Sequence, residues 1–172
     1  MAQTNEPLLS VKGLKQYFPV SKKFTVRAVD NISFDIYPGE TYGLVGESGS
    51  GKSTTGRSII RLYDPTEGTI LFNGEDISKK LTAKQEKMLR SDMQMVFQDP
   101  MASLNPHKKI LDTIAMGLDA HHPHMDQKER VERVSKMMEM VGLNPAYMNR
   151  YPNQFSGGQR QRIGLGRALI MN

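Results

Sequence analysis

Residues Gly46-Glu47-Ser48-Gly49-Ser50-Gly51-Lys52-Ser53-Thr54 match the pattern G-x-x-x-x-G-K-[ST] at every fixed position. The chemistry that needs these residue types is the capture of a polyphosphate. Backbone N–H groups can surround several negative charges only where no side chain blocks them and some residues take positive φ, which Gly46, Gly49 and Gly51 permit. Lys52 supplies a compact ammonium for the outer phosphates. The Ser53 hydroxyl is a hard oxygen suited to a Mg²⁺ that bridges them.

Context separates such a loop from a glycine-rich turn without a ligand. Thr41–Val45 reads as a short buried strand, and Ser53–Leu62 reads as a helix stopped by Asp64-Pro65. Strand, loop and helix N-terminus follow in the order an anion site requires, with the helix dipole favouring negative charge.

The remaining elements frame this loop. Leu8 to Phe18 and Val26 to Ile36 read as two strands, and Tyr17 and Phe18 end the first with an aromatic face that can stack on a purine or pack in the core. Thr69–Gly74 closes on Asn73-Gly74, a hairpin signal that implies a small antiparallel layer. Thr82 with Gln85 forms a capping box for a helix to about Arg90, and Met93–Gln98 reads as another buried strand. Gln98 ends that strand, where open α/β sheets bind ligands, so it is either a metal-reaching amide or an ordinary loop glutamine.

Farther along, 99–107 is a loop and Ile110–Leu118 a helix. His121-His122-Pro123-His124 lacks carboxylate or thiolate partners and reads as a surface linker, not a metal site. Asp126 with Glu129 caps a helix carrying Val131, Val134, Met138 and Val141 on one face, ended by Gly142. Ser156-Gly157-Gly158-Gln159 precedes an apolar-patterned helix, Ile163–Ile170, and makes a second anion cradle or, taken alone, a helix cap.

Composition sets outer bounds. The 172 residues are 38% hydrophobic and 24% charged, as in an ordinary folded domain, and contain no cysteine, which excludes disulfides and thiolate metal sites. No apolar run approaches the roughly 20 residues needed to span a bilayer, and the first residues lack signal-peptide character. The net charge of +5 is spread among acids and reads as solvated surface, without a nucleic-acid partner.

Three stretches together, GESGSGKST, VFQDPMASLNP and RYPNQFSGGQRQRIGLGRALI, resemble the nucleotide-binding subunits of ABC transporters, especially those of oligopeptide and dipeptide importers. The resemblance runs from about Leu8 to the last residue. Phe155 before Ser-Gly-Gly-Gln and the Ser-Leu-Asn-Pro tail after Gln98 are habits of the peptide group. It implies an α/β fold: a P-loop NTPase core with an antiparallel β layer and a helical subdomain, incomplete at the C-terminus. The implied division is 1–98 for the first part of the core, 99–162 for the helical subdomain and 163–172 for a return helix.

By the same resemblance, Gly46 to Thr54 hold ATP phosphates, Ser53 and Gln98 serve Mg²⁺, and Phe18, with Tyr17 as the alternative, stacks on adenine. Ser156, Gly157, Gly158 and Gln159 contact ATP held by a second ATPase subunit. The implied partners are membrane permease subunits, that second subunit and, indirectly, a peptide-binding protein, at the cytoplasmic face of the membrane. The family's metal-binding aspartate, catalytic glutamate and switch histidine have no match in the 172 residues, so the chain alone is expected not to turn ATP over. A non-catalytic nucleotide-binding module, and an ATPase acting on nucleic acid or ribosomes, are the competing readings.

Overall fold

The computed structural model describes residues 6–98 and 103–171, and the chain forms two compact units, Met1–Leu89 and Arg90–Asn172. In the first, two 13-residue strands, β1 (Leu9–Ser21) and β2 (Phe24–Ile36), run antiparallel, and β3 (Glu67–Phe72) and β4 (Glu75–Asp76) complete a sheet of order β2-β1-β3-β4. The alternation that suggested these strands has its physical counterpart: Leu9, Val11, Leu14, Ile70 and Phe72 are buried. Asn73 and Gly74 both have positive φ, at 49° and 78°, as the tight β3–β4 turn requires.

Helix α1 (Lys52–Ile59) stops three residues short of the Leu62 expected from sequence, because Arg61 turns to φ 59° and the N–H groups of Leu62 and Tyr63 fold back to the carbonyl of Arg57. Helix α2 (Ala83–Asp92) opens on the expected capping box: the Thr82 N–H donates to Gln85 Oε1 at 3.1 Å and the Gln85 N–H to Thr82 Oγ1 at 3.3 Å.

Two expected strands are absent. Thr41–Val45 and Met93–Gln98 are not strands, and Leu44, Val45, Val96 and Phe97 are exposed. A parallel core strand is held by neighbours on its edges, and among the described residues no strand pairs with either segment. Tyr42 keeps one anchor, stacking on Phe34 with ring centroids 4.9 Å apart.

The second unit is helical: α3 (Ile110–Ile114), α4 (Met116–His121), α5 (Gln127–Met140) and α6 (Gly157–Leu169), with short 3-10 turns at Pro145–Tyr147 and Pro152–Gln154. Ile110, Ile114, Leu118, Val134, Met138 and Ile163 are almost wholly excluded from water and form its centre. Asp126 caps α5 by accepting from the Lys128 N–H at 2.9 Å. Glu129 does not close a capping box and instead pairs with Arg133 at 2.8 Å. The part of the expected 99–107 loop at 99–102 lies outside the described residues. Among the described residues no group of three metal-ligating side chains occurs, the histidines at 121–124 included.

Candidate functional site

The candidate phosphate loop, Gly46 to Thr54, is built outward from the sheet. Thr55 and Ser58 are buried on α1, and the Ser58 hydroxyl donates to Gln16 Oε1 of β1 at 3.1 Å, which ties the helix to the strand beneath it. Gly51 ends the loop with φ 90°, and a Cβ there would lie 2.2 Å from the carbonyl oxygen of Ala28. Only glycine meets both demands, so the close approach of loop and β2 fixes the residue type.

Gly51 is also the N-cap of α1, and no side chain caps that helix. Its first-turn N–H groups therefore keep the directional, partly positive character that suits a phosphate. Gly46 to Ser50 are exposed and shaped by a turn in which the Ser50 N–H donates to the Glu47 carbonyl at 3.2 Å.

Lys52 folds back over the loop. Its ammonium donates to the carbonyls of Gly46 at 2.7 Å and Glu47 at 2.6 Å, and to Ser50 Oγ at 3.3 Å. Two strong bonds hold the loop's first turn, while the long bond to a neutral hydroxyl is the one an anionic phosphate oxygen would replace at least cost. Ser53 is exposed, and its hydroxyl has no hydrogen-bond partner among the described residues. With no three-residue carboxylate or imidazole cluster among them, a Mg²⁺ here fits only as an ion held mainly by phosphate oxygens and water, with Ser53 adding one oxygen.

The two aromatic candidates have different surroundings. Phe18 packs edge-on against Tyr63 at 5.2 Å between centroids. The Tyr17 phenol donates to Asp30, which raises its pKa chiefly through that bond, and the Arg27 guanidinium lies 5.4 Å from the Tyr17 ring centre. Sequence reasoning did not find Asp30 or Arg27, since only the β1–β2 register, pairing Tyr17 with Arg27, brings them to the ring.

In the helical unit, Ser156 and Gln159 form a capping box on α6: the Ser156 N–H donates to Gln159 Oε1 at 2.9 Å and the Gln159 N–H to Ser156 Oγ at 3.3 Å. The helix thus begins at Gly157, six residues before the apolar pattern signalled it, because the cap and the glycines carry the first turn. Ser156, Gly157 and Gly158 face solvent, and no side chain covers either glycine within 4 Å of a would-be Cβ. Gln98 is exposed.

Residues 29–172 match the family model described as ABC transporter. The chain is 58% identical over 167 residues to the oligopeptide transport ATP-binding protein OppF of Bacillus subtilis, covering 97% of this chain and 54% of that relative. It is 49% identical to the dipeptide transport ATP-binding protein DppF of Lactococcus lactis, covering 95% and 53% respectively. The chain therefore spans about half the length of the curated relatives it matches. Among solved structures, a dimeric ATP-binding cassette in a post-hydrolysis state bound to ADP and Pi superposes with a TM-score of 0.85 at 30% identity, covering 95% of this chain and 70% of that one. With its glycine-rich loop before α1, antiparallel layer and helical unit, the fold is the α/β P-loop fold of an ATP-binding cassette, and the chain belongs to the ABC transporter family.

Proposed function

We propose that this chain carries the ATP-holding part of a subunit that powers oligopeptide or dipeptide uptake, in a complex with membrane permease subunits, a second ATPase subunit and, indirectly, a peptide-binding protein. The observation that carries the proposal is the uncapped start of α1 behind the left-handed Gly51, with the Lys52 ammonium at the loop mouth.

In this reading the amides from Gly46 through Thr54 and Lys52 bind and orient the triphosphate of ATP. Mg²⁺, when bound, neutralises phosphate charge, and Ser53 and Gln98 are its proposed contacts in this chain. The Ser156–Gln159 turn, exposed at Ser156, Gly157 and Gly158, faces ATP held by the second ATPase subunit. For adenine, the packing supports Tyr17 over Phe18: the Phe18 ring is already used against Tyr63, whereas Tyr17 is held at its phenol by Asp30 and backed by Arg27. The proposed place of work is the cytoplasmic membrane surface; among the described residues no helix is long and apolar enough to cross a membrane.

Hydrolysis needs a group that orients water, and no apolar run ending in Asp-Glu occurs in the 172 residues. The chain alone is accordingly proposed to bind ATP without turning it over. Steady hydrolysis by the purified chain, abolished by Lys52→Ala, would contradict that part. For transport, Lys52→Ala introduced into the gene should abolish growth on peptides as the amino-acid source and spare growth on free amino acids. Unchanged peptide use would overturn the importer reading.

A further inference from the structure

The net charge of this protein is not spread evenly, contrary to the expectation from composition. Between Glu6 and Asp30 there is no acidic residue, and the stretch holds five bases: Lys12, Lys15, Lys22, Lys23 and Arg27. The whole chain has 23 basic and 18 acidic residues, so removing this stretch leaves 18 of each. Residues 7–29, which hold β1 and the first part of β2, account for the entire excess, and Asp30 and Asp35 follow on β2.

Part of that charge is answered locally. Lys15 bonds Glu67 on β3 at 2.7 Å, and Arg27 lies 4.0 Å from Asp30. Lys22 and Lys23, the two-residue tip between Ser21 and Phe24, have no ion-pair partner among the described residues, and both are exposed. Beside them stand apolar side chains that remain substantially open to water: Val20 is 66% exposed, Phe24 60% and Val26 40%. Phe24 and Val26 are two residues apart on β2 and share a face. Val20 sits where the ladder slips between Pro19 and Ser21.

We infer that the tip of the β1–β2 hairpin is a docking surface for an anionic lipid bilayer, with Lys22 and Lys23 at the headgroups and Val20 and Phe24 in the interface. Charge complementarity selects this occupant. Two unpaired ammonium groups attract a negative surface, and the flanking aliphatic and aromatic side chains match the apolar layer below the headgroups. A nucleic acid would reward the lysines and stack on Phe24, but would leave the aliphatic Val20 and Val26 facing a charged backbone. The exposed apolar area is small, so docking is reversible and weakens with salt. The inference does not rest on the nucleotide reading, since no residue of the tip belongs to the phosphate loop.

The chain contains no tryptophan, which makes Phe24→Trp a clean reporter. With vesicles of equal parts phosphatidylcholine and phosphatidylglycerol, the Phe24→Trp protein should co-float at low salt and its emission shift to the blue. Pure phosphatidylcholine should give neither effect. Lys22→Glu/Lys23→Glu should weaken partitioning at least about tenfold, while Lys84→Glu/Lys87→Glu, the same charge change on exposed positions of α2, should leave it near the parent value. Circular dichroism establishes that each variant is folded. Equal loss in both double variants would reduce the effect to net charge and overturn the assignment to the tip. Absence of flotation, or an unshifted emission with displacement by a duplex oligonucleotide, would overturn the lipid surface itself.

Discussion

The hydroxyl of Ser58 donates to the side-chain oxygen of Gln16 at 3.1 Å, in a buried contact between residues 42 positions apart. It holds α1, and with it the proposed phosphate loop, at a set place on β1. Ser58→Ala leaves the Gln16 acceptor buried without this donor, so chemical denaturation should show a loss of about 1–3 kcal/mol. An unchanged midpoint would mean that the loop's support lies elsewhere.

Gly51→Ala puts a methyl group on a φ of 90° and against the carbonyl of Ala28. The strand cannot retreat without disturbing β1–β2, so the loop must give way. Affinity for ATP should fall at least about tenfold, read by displacement of a fluorescent ATP analogue. Retention of parental affinity would show that the loop does not hold phosphate in this conformation.

The aromatic pair can be separated by its effect on base and phosphate. If Tyr17 carries adenine, Tyr17→Ala should weaken ATP by about tenfold or more while leaving inorganic tripolyphosphate unaffected, as expected when one stacking contact is lost. Phe18→Ala, which removes the edge-on partner of Tyr63, should lower stability and change both ligands alike. The reverse pattern would restore Phe18, the choice made from sequence spacing.

A pH dependence follows from Arg130, whose side chain is mostly buried and bonds both Asp119 at 2.7 Å and Asp112 at 3.0 Å. The bond from Arg130 holds the Asp119 carboxyl below the usual carboxylate range, and the two acids push the guanidinium pKa up. A depressed carboxyl stabilises the fold fully above the unfolded value, near pH 4, and that contribution is lost as pH falls through the lower folded value. Asp119→Asn should therefore destabilise the chain at pH 7 and flatten the acid limb of the stability profile. An acid limb as steep as the parent's would place the linkage on other groups.

What could be read from sequence was what is decided locally. Gly51, the Asn73-Gly74 turn and the Thr82/Gln85 box depend on residues within a few positions of each other and appear as expected, and the cap at Ser156 is equally local, although the part Gln159 takes in a box there was not foreseen. Thr41–Val45 and Met93–Gln98 carry the composition of buried strands, but strand formation depends on partners distant in sequence, and the described residues supply none. Gln16–Ser58 and Tyr17–Asp30 were invisible for the same reason: 42 and 13 residues separate the partners. The acid-free stretch from residue 7 to 29 was legible and lost in a whole-chain count.

The most direct measurement follows backbone amide shifts as ATP, and separately tripolyphosphate, is titrated into the isotope-labelled chain with Mg²⁺. The account predicts saturable changes concentrated at Gly46 to Thr54 for both ligands, abolished by Lys52→Ala. Changes centred elsewhere, or the same response in Lys52→Ala, would contradict it.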